Sequence, residues 1–260
     1  MSLSSEPVFS LLKNSYIVGY KNIDNTRYAG ASGKHRPDEP AVDTTNGAGP
    51  HNIQLFVLNS DGTVLTCLPG YWHAQDLAKE LELAQKLNKI WEDPSLNLEQ
   101  KENLWKQMQL AHIQEHDQGF HNRSRMQGFD VQYEAKNRPG SDFFYNSRAI
   151  NPATGATPDR NVKTVDIVVH ERLATRPFEK YKTFDVASFS DYGKPIYDKH
   201  EQFLDASGKI APGADLSSEP MIGNTPKAHP VKTQLQRTGK SVARRTFNQA
   251  LRYGLRALIR

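Results

Sequence analysis

Hydrophobic positions along this chain fall into short runs separated by polar, Gly- and Pro-containing stretches. The densest run is Asn52 to Trp72, NIQLFVLNSDGTVLTCLPGYW. Ile53 to Leu58 is apolar at nearly every position, Asn59-Ser60-Asp61-Gly62 has turn composition, and Thr63 to Leu68 precedes a break at Pro69-Gly70. Two short apolar runs around an Asp-Gly turn predict a β-hairpin. The first run lacks alternation, so both of its faces are expected to be buried, with Leu55 and Val57 on one and Phe56 on the other. After Trp72 the period lengthens. Leu77, Leu81, Ala84, Leu87 and Trp91 share a face of a helix over Ala74 to Trp91, which Pro94 ends. Asn97 with Gln100 three residues on predicts a capped second helix, with Leu104, Trp105, Met108 and Ala111 as its stripe and Gly119 as its stop.

The rest of the pattern is less regular. Pro7 to Lys13 reads as the end of a helix, and Ser15 to Asn22 as a strand rich in β-branched and aromatic residues. Asp24 to Pro50 and His121 to Arg160 read as long polar loops. Val162 to His170 (VKTVDIVVH) reads as a strand. Arg176 to Tyr197 is dense in aromatics, a density that normally packs on something. Asp198 to Pro230 has linker composition. From Ser241 to Arg260, Ala243, Phe247, Leu251, Leu255 and Leu258 fall on one helical face, with Arg245, Arg252, Arg256 and Arg260 opposite, a basic amphipathic helix.

Composition narrows the classes. Apolar residues make up only 37% of the 260, so substantial exposed or irregular segments are expected. No run approaches the length of a membrane-spanning helix, and Met1 to Pro7 shows no signal peptide, which makes the cytoplasm the default compartment. The net charge of +4 is unevenly spread. Thr225 to Arg260 holds nine of the 33 Lys and Arg and no Asp or Glu, leaving 24 basic against 29 acidic residues before it. The tail Arg244 to Arg260 is therefore expected to dock on the protein's own core or to meet a protein partner or an anionic membrane surface; nucleic acid ranks last, since aromatics are sparse there.

Candidate chemistry is limited. Cys67 is the single cysteine, so neither a disulfide nor a thiolate metal site can form within the chain, and a strand cysteine among apolar neighbours reads as an inert core residue. His112-Ile113-Gln114-Glu115-His116 matches H-x-x-E-H, in which two histidines one helical turn apart can reach one metal ion, with Glu115 as base. His121 and Asp117 lie nearby in sequence as third ligands, and the bland reading is a solvated helix end where histidine complements the dipole. Asp166 and His170, in a strand, lie about 13 Å apart along it, too far for contact. Asp185, Asp191 and Asp198 read as turn caps. Gly47-Ala48-Gly49 runs into Pro50 rather than a helix, so it is no phosphate cradle.

Taken together, the Ile17 strand, Gly49-Pro50, the Asp61-Gly62 hairpin, Pro69-Gly70-Tyr71 and the following helix resemble the C-terminal part of a thioredoxin-like domain, over residues 1 to 92. The resemblance implies an α/β fold and a cis Pro50 at a binding position. The Cys-x-x-Cys segment of that superfamily is not present, and its strand would lie upstream of Met1 or be replaced by one such as Val162 to Val169. The expected organisation is a thioredoxin-like module at 1–92 lacking the first strand and redox motif, a helical and aromatic-rich extension at 93–197, a linker at 198–230 and a basic tail helix at 231–260. The expected function is a non-redox thioredoxin-like binding or scaffold protein without a cofactor. The alternatives are a thiol–disulfide oxidoreductase whose motif lies upstream, and a metal-dependent enzyme using His112 and His116.

Overall fold

The computed structural model describes residues 2–26, 28–32, 44–49, 51–145 and 161–197. It is a mixed α/β structure of seven α-helices and two small sheets among these residues. Pro50, the linker and the basic tail lie outside them.

The hairpin forms where the sequence places it. Strand β2 (Gln54–Leu58) pairs antiparallel with β3 (Val64–Pro69), from Gln54 opposite Pro69 to Val57 opposite Thr66. Gly62 turns the chain at φ 81°, a left-handed conformation that glycine adopts without strain. The Asp61 carboxylate accepts from the Thr63 amide at 2.9 Å and the Thr63 hydroxyl at 2.6 Å, which pins the turn. The burial differs from expectation. Every residue of β3 is buried, whereas in β2 Val57 is buried and Leu55 and Phe56 only partly so. The inner strand is β3, which packs against two helices, α2 (Ala74–Glu92) and α6 (Val165–Ala174). Phe56 is covered by the edges of Tyr181 and Phe184, at ring separations of 5.0 and 5.8 Å.

At the N-terminal side, α1 (Val8–Ser15) gives way to an extended stretch, Tyr16 to Ile23. The strand read at Ser15 to Asn22 joins no sheet among the described residues; Tyr16 is tied down by its hydroxyl on the Leu81 carbonyl at 2.6 Å, but Ile17 and Tyr20 are fully exposed. A short strand β1 (Ala31–Ser32) pairs in parallel with β4 (Ile196–Tyr197).

Helix α2 runs one residue past the expected end and stops before Pro94. Helix α3 (Leu98–Glu115) opens with the anticipated capping box: the Asn97 side chain accepts from the Gln100 amide while the Gln100 side chain accepts from the Asn97 amide. It ends earlier than Gly119. His116 turns extended, and Asp117 caps a new helix, α4 (Gln118–Arg123), that contains Gly119. Another helix, α5 (Gly128–Asn137), follows, so 121–145 is largely helical rather than a loop.

The largest departure is at 162–170. This segment is not a strand but leads into α6. Its β-branched residues favour a strand locally, yet Val165, Val168, Val169 and Leu173 recur at helical spacing and are all buried. Burial on that face overrides local propensity. It also removes this segment as a replacement for the upstream strand. Helix α7 (Val186–Phe189) is capped by Asp185, and Asp191 pairs with Arg138, so both carboxylates are structural. A single apolar cluster runs from Val8 to Tyr192 and includes Cys67, whose thiol burial holds well above its ordinary pKa.

Candidate metal centre

Three helices converge polar side chains on one buried point. On α2, Asp76 and Glu80 lie one turn apart and are both fully buried. Asp76 is neutralised by Arg123, which donates from Nε and Nη2 at 2.8 and 2.6 Å, and by the Asn46 amide at 2.7 Å. Glu80 has no Lys or Arg partner among the described residues. What faces it is histidine. His170 Nε2 lies 3.2 Å from Glu80 Oε1, His112 Nε2 lies 3.4 Å away and His116 Nε2 3.7 Å.

Helical spacing places each of these groups. On α3 the buried face reads Trp105, Gln109, His112, with His116 one turn beyond at the C-cap. This stripe differs from the expected one: Met108 and Leu104 lie at its border and Ala111 faces solvent. On α6, Asp166 and His170 are four residues apart on a helix, so they share a face, where a strand would have separated them. Trp105 locks the two helices by donating from Nε1 to the Leu173 carbonyl at 2.7 Å.

The outer nitrogens of two of the rings are also held. His116 Nδ1 lies 2.7 Å from Asp166 Oδ2, and His170 Nδ1 lies 2.6 Å from Gln109 Oε1. An ionised carboxylate and an amide oxygen only accept, so the network assigns the proton to Nδ1 on both rings. In the neutral imidazole this leaves the Nε2 lone pair facing Glu80. His112 Nδ1 lies 3.5 Å from Glu115 Oε2.

Distances separate two interpretations. A hydrogen bond from N–H to oxygen spans about 2.7–3.2 Å. Ligand atoms about 2.05 Å from a tetrahedral ion stand about 3.4 Å from one another. Around Glu80 Oε1, His170 at 3.2 Å is within hydrogen-bond reach, whereas His112 at 3.4 Å and His116 at 3.7 Å stand at the separations of the second arrangement. The Nε2 atoms of His112 and His116, and Glu80 Oε2, are buried without a hydrogen-bond partner. The donor atoms of Glu80, His112, His116 and His170 all lie within 4.8 Å of one another.

Electrostatics follows from this crowding. Burial opposes ionisation of Glu80, but the charges of His170 and His112 beside it outweigh it and hold the carboxyl well below the usual range. Burial also opposes the charged form of both α3 histidines. For His112 the adjacent Glu80 wins and the pKa is raised; for His116 burial wins over the Asp166 hydrogen bond and it is lowered. Burial works against ionised Asp166 too, yet the His116 hydrogen bond keeps the pKa low.

A second donor set adjoins the first. His121 Nδ1 lies 2.9 Å from Asp166 Oδ2, and His116, His121 and Asp166 again bring donor atoms within 4.8 Å. The His116 ring stacks on Phe120, with centroids 3.7 Å apart.

The structure thus brings together His112 and His116, the pair singled out in the sequence, and adds Glu80 and His170, which sequence reading missed. It does not bring Glu115 to the shared point. That side chain is 63% exposed and sits beside the outer nitrogen of His112, where it cannot act as base toward anything bound at Nε2. Asp117 is likewise turned outward, 3.4 Å from Lys79. A signal for Glu80 exists in retrospect: it sits one turn from Leu77 and Ala84 in the buried face of an amphipathic helix. For His170 the signal was masked by the strand-like composition around it. No protein-family model, curated protein or solved structure matches this chain.

Proposed function

We propose that this chain is a metal-binding protein that holds one divalent first-row ion, zinc by preference, between Glu80, His112, His116 and His170. The observation that carries this reading is the convergence of three imidazole Nε2 atoms on one buried carboxylate oxygen at 3.2–3.7 Å, with two of the rings fixed from behind. A buried carboxylate ringed by three imidazole nitrogens draws positive charge to their shared point, and a divalent cation there supplies it by coordination. Asp166 and Gln109 play the orienting part that metal-bound histidines usually require. Two buried carboxylates, Glu80 and Asp166, balance a divalent charge, whereas a trivalent ion would leave a buried positive charge uncompensated. Imidazole and carboxylate donors at tetrahedral spacing suit zinc, which has no geometric preference of its own.

The ion's role is to fasten α2, α3 and α6 together. Four protein ligands leave no open position for substrate, as in structural sites, and all four are buried. The H-x-x-E-H hydrolase reading loses support because Glu115 stands behind His112. The hairpin followed directly by α2 favours a second, compatible reading, in which the centre is built onto a non-redox thioredoxin-like scaffold. Buried Cys67 offers no thiol for exchange.

The test is metal analysis of the purified full chain after loading with zinc and removal of free ion. One ion per chain is expected, with none retained by the double variant His112→Ala, His170→Ala. Replacement by Co2+ should give the intense visible bands of a tetrahedral site. Wild-type protein that retains no zinc or cobalt would sink the proposal.

A further inference from the structure

A closed centre needs a route by which the ion arrives. The side chains of Glu80, His116 and His170 are fully buried and that of His112 is 6% exposed. Among the described residues, two partly exposed groups adjoin this cluster. One is Glu115 beside His112 Nδ1. The other is His121, 24% exposed, beside the fully buried Asp166.

We infer that His121 and Asp166 form the loading port of the centre: they capture a divalent cation at the surface and release it into the centre beside them. This rests on reading Glu80, His112, His116 and His170 as the metal centre. His121 Nδ1 stands 2.9 Å from Asp166 Oδ2 yet makes no aligned hydrogen bond, so a cation can use both atoms at once. Asp166 Oδ1 is buried without a partner and supplies a further acceptor. The two donor sets share His116, whose Nδ1 faces Asp166 and whose Nε2 faces Glu80. An ion at the port therefore stands against the Nδ1 edge of a ring whose other nitrogen already belongs to the centre, and it passes beside that ring to reach Nε2. The other group lacks this continuity. Glu115 is 3.5 Å from a single nitrogen and belongs to neither set. Just outside the port, Lys79 and Asp117 pair at 3.4 Å, so the fixed charge there is close to balanced and capture falls to His121 and Asp166 themselves.

The experiment follows Co2+ uptake by metal-free full-length protein, using growth of the visible band in a stopped-flow instrument. His121→Ala should reach the same final absorbance and the same single equivalent of Co2+, at a rate lower by on the order of tenfold or more, the scale of electrostatic and contact effects on association. His121→Phe, which keeps a ring and removes both nitrogens, should behave alike and guards against a folding defect in the alanine variant. Glu115→Ala should load at the wild-type rate. Wild-type rates in both His121 variants overturn the port, and so does slowing by Glu115→Ala instead. Two equivalents in the wild type and one in the His121 variants also overturn it, by making the pair a resident second site. Absence of any uptake by the wild type would instead remove the centre itself, an outcome distinct from failure of the port.

Discussion

Glu80 is a buried carboxylate whose surroundings make sense only as a set. Alone it is costly, because desolvation of an uncompensated ion is worth several kcal/mol. Two of the three imidazoles around it are fixed by Asp166 and Gln109, so these outer groups should govern affinity without touching the ion. Asp166→Asn and Gln109→Ala are each expected to weaken zinc binding about 10–100-fold, measured by competition with a chromophoric chelator. Affinity unchanged in both variants would show that the rings are not oriented from behind. His51 offers an independent check at this scale, because it is buried against Tyr192 at 4.3 Å. Burial lowers its pKa to about 4, against the opposing pull of the Gly47 and Ser190 carbonyls. The folded value lies below the unfolded one, so this contribution is present above about pH 6.5 and lost as pH falls toward 4. The loss is expected to reach about 3 kcal/mol. Urea titrations of metal-free protein between pH 7 and 4 should show it, and His51→Phe should flatten that limb.

At the level of elements, the hairpin, α2 and the cap of α3 were legible because local signals agreed with the tertiary outcome: an Asp-Gly turn, a 3.6-residue apolar period, and Asn97 with Gln100. The α6 segment was not legible. Val162 to His170 carries strand-forming residues, and only contact with β3 and α3 makes it helical. That single misreading also hid the site, since Asp166 and His170 meet the histidines of α3 only when a helix puts them on one face. The inward face of α3 was misread for a related reason. Apolar periodicity selects Leu104, Trp105, Met108 and Ala111; of these only Trp105 lies on the face that packs inward, which continues through Gln109 and His112. The β-sheet gives a measurable consequence. Leu68 on β3 is fully buried and Phe56 on β2 only partly. Leu68→Ala should therefore cost about 2–5 kcal/mol and Phe56→Ala less, in spite of the larger side chain removed. Chemical denaturation of both variants reads the order directly; the reverse order would make β2 the inner strand.

Across the whole molecule, the centre changes what holds the fold together. The hairpin side is apolar, with Leu68, Leu81, Leu87, Val168 and Leu173 fully buried in one cluster. Where α2, α3 and α6 meet, by contrast, the interior contains Glu80, Gln109, His112, His116, Asp166 and His170. Without an ion that region gains little from the hydrophobic effect and carries unpartnered buried atoms. With one, each donor gains a strong partner. A ligand present at a thousandfold excess over its dissociation constant stabilises the folded state by about 4 kcal/mol. For a domain of this size each kcal/mol moves the melting temperature by about 2–4 °C, so loading with zinc should raise it by roughly 10 °C. Hydrogen exchange should localise the gain: amide protection should rise in the residues of α2, α3 and α6 that face the ion, and little in the turn at Asn59 to Thr63. Glu80→Gln separates the ion from the rest of the packing, because it keeps the shape of the side chain and removes its charge. The metal-free variant is expected to melt somewhat below metal-free wild type, since the ionised carboxylate that His170 and His112 favour is gone, and the zinc-dependent rise is lost as well. If zinc still stabilises Glu80→Gln as much as wild type, the carboxylate serves the histidines as an ordinary hydrogen-bond acceptor, and the three helices are held by packing alone.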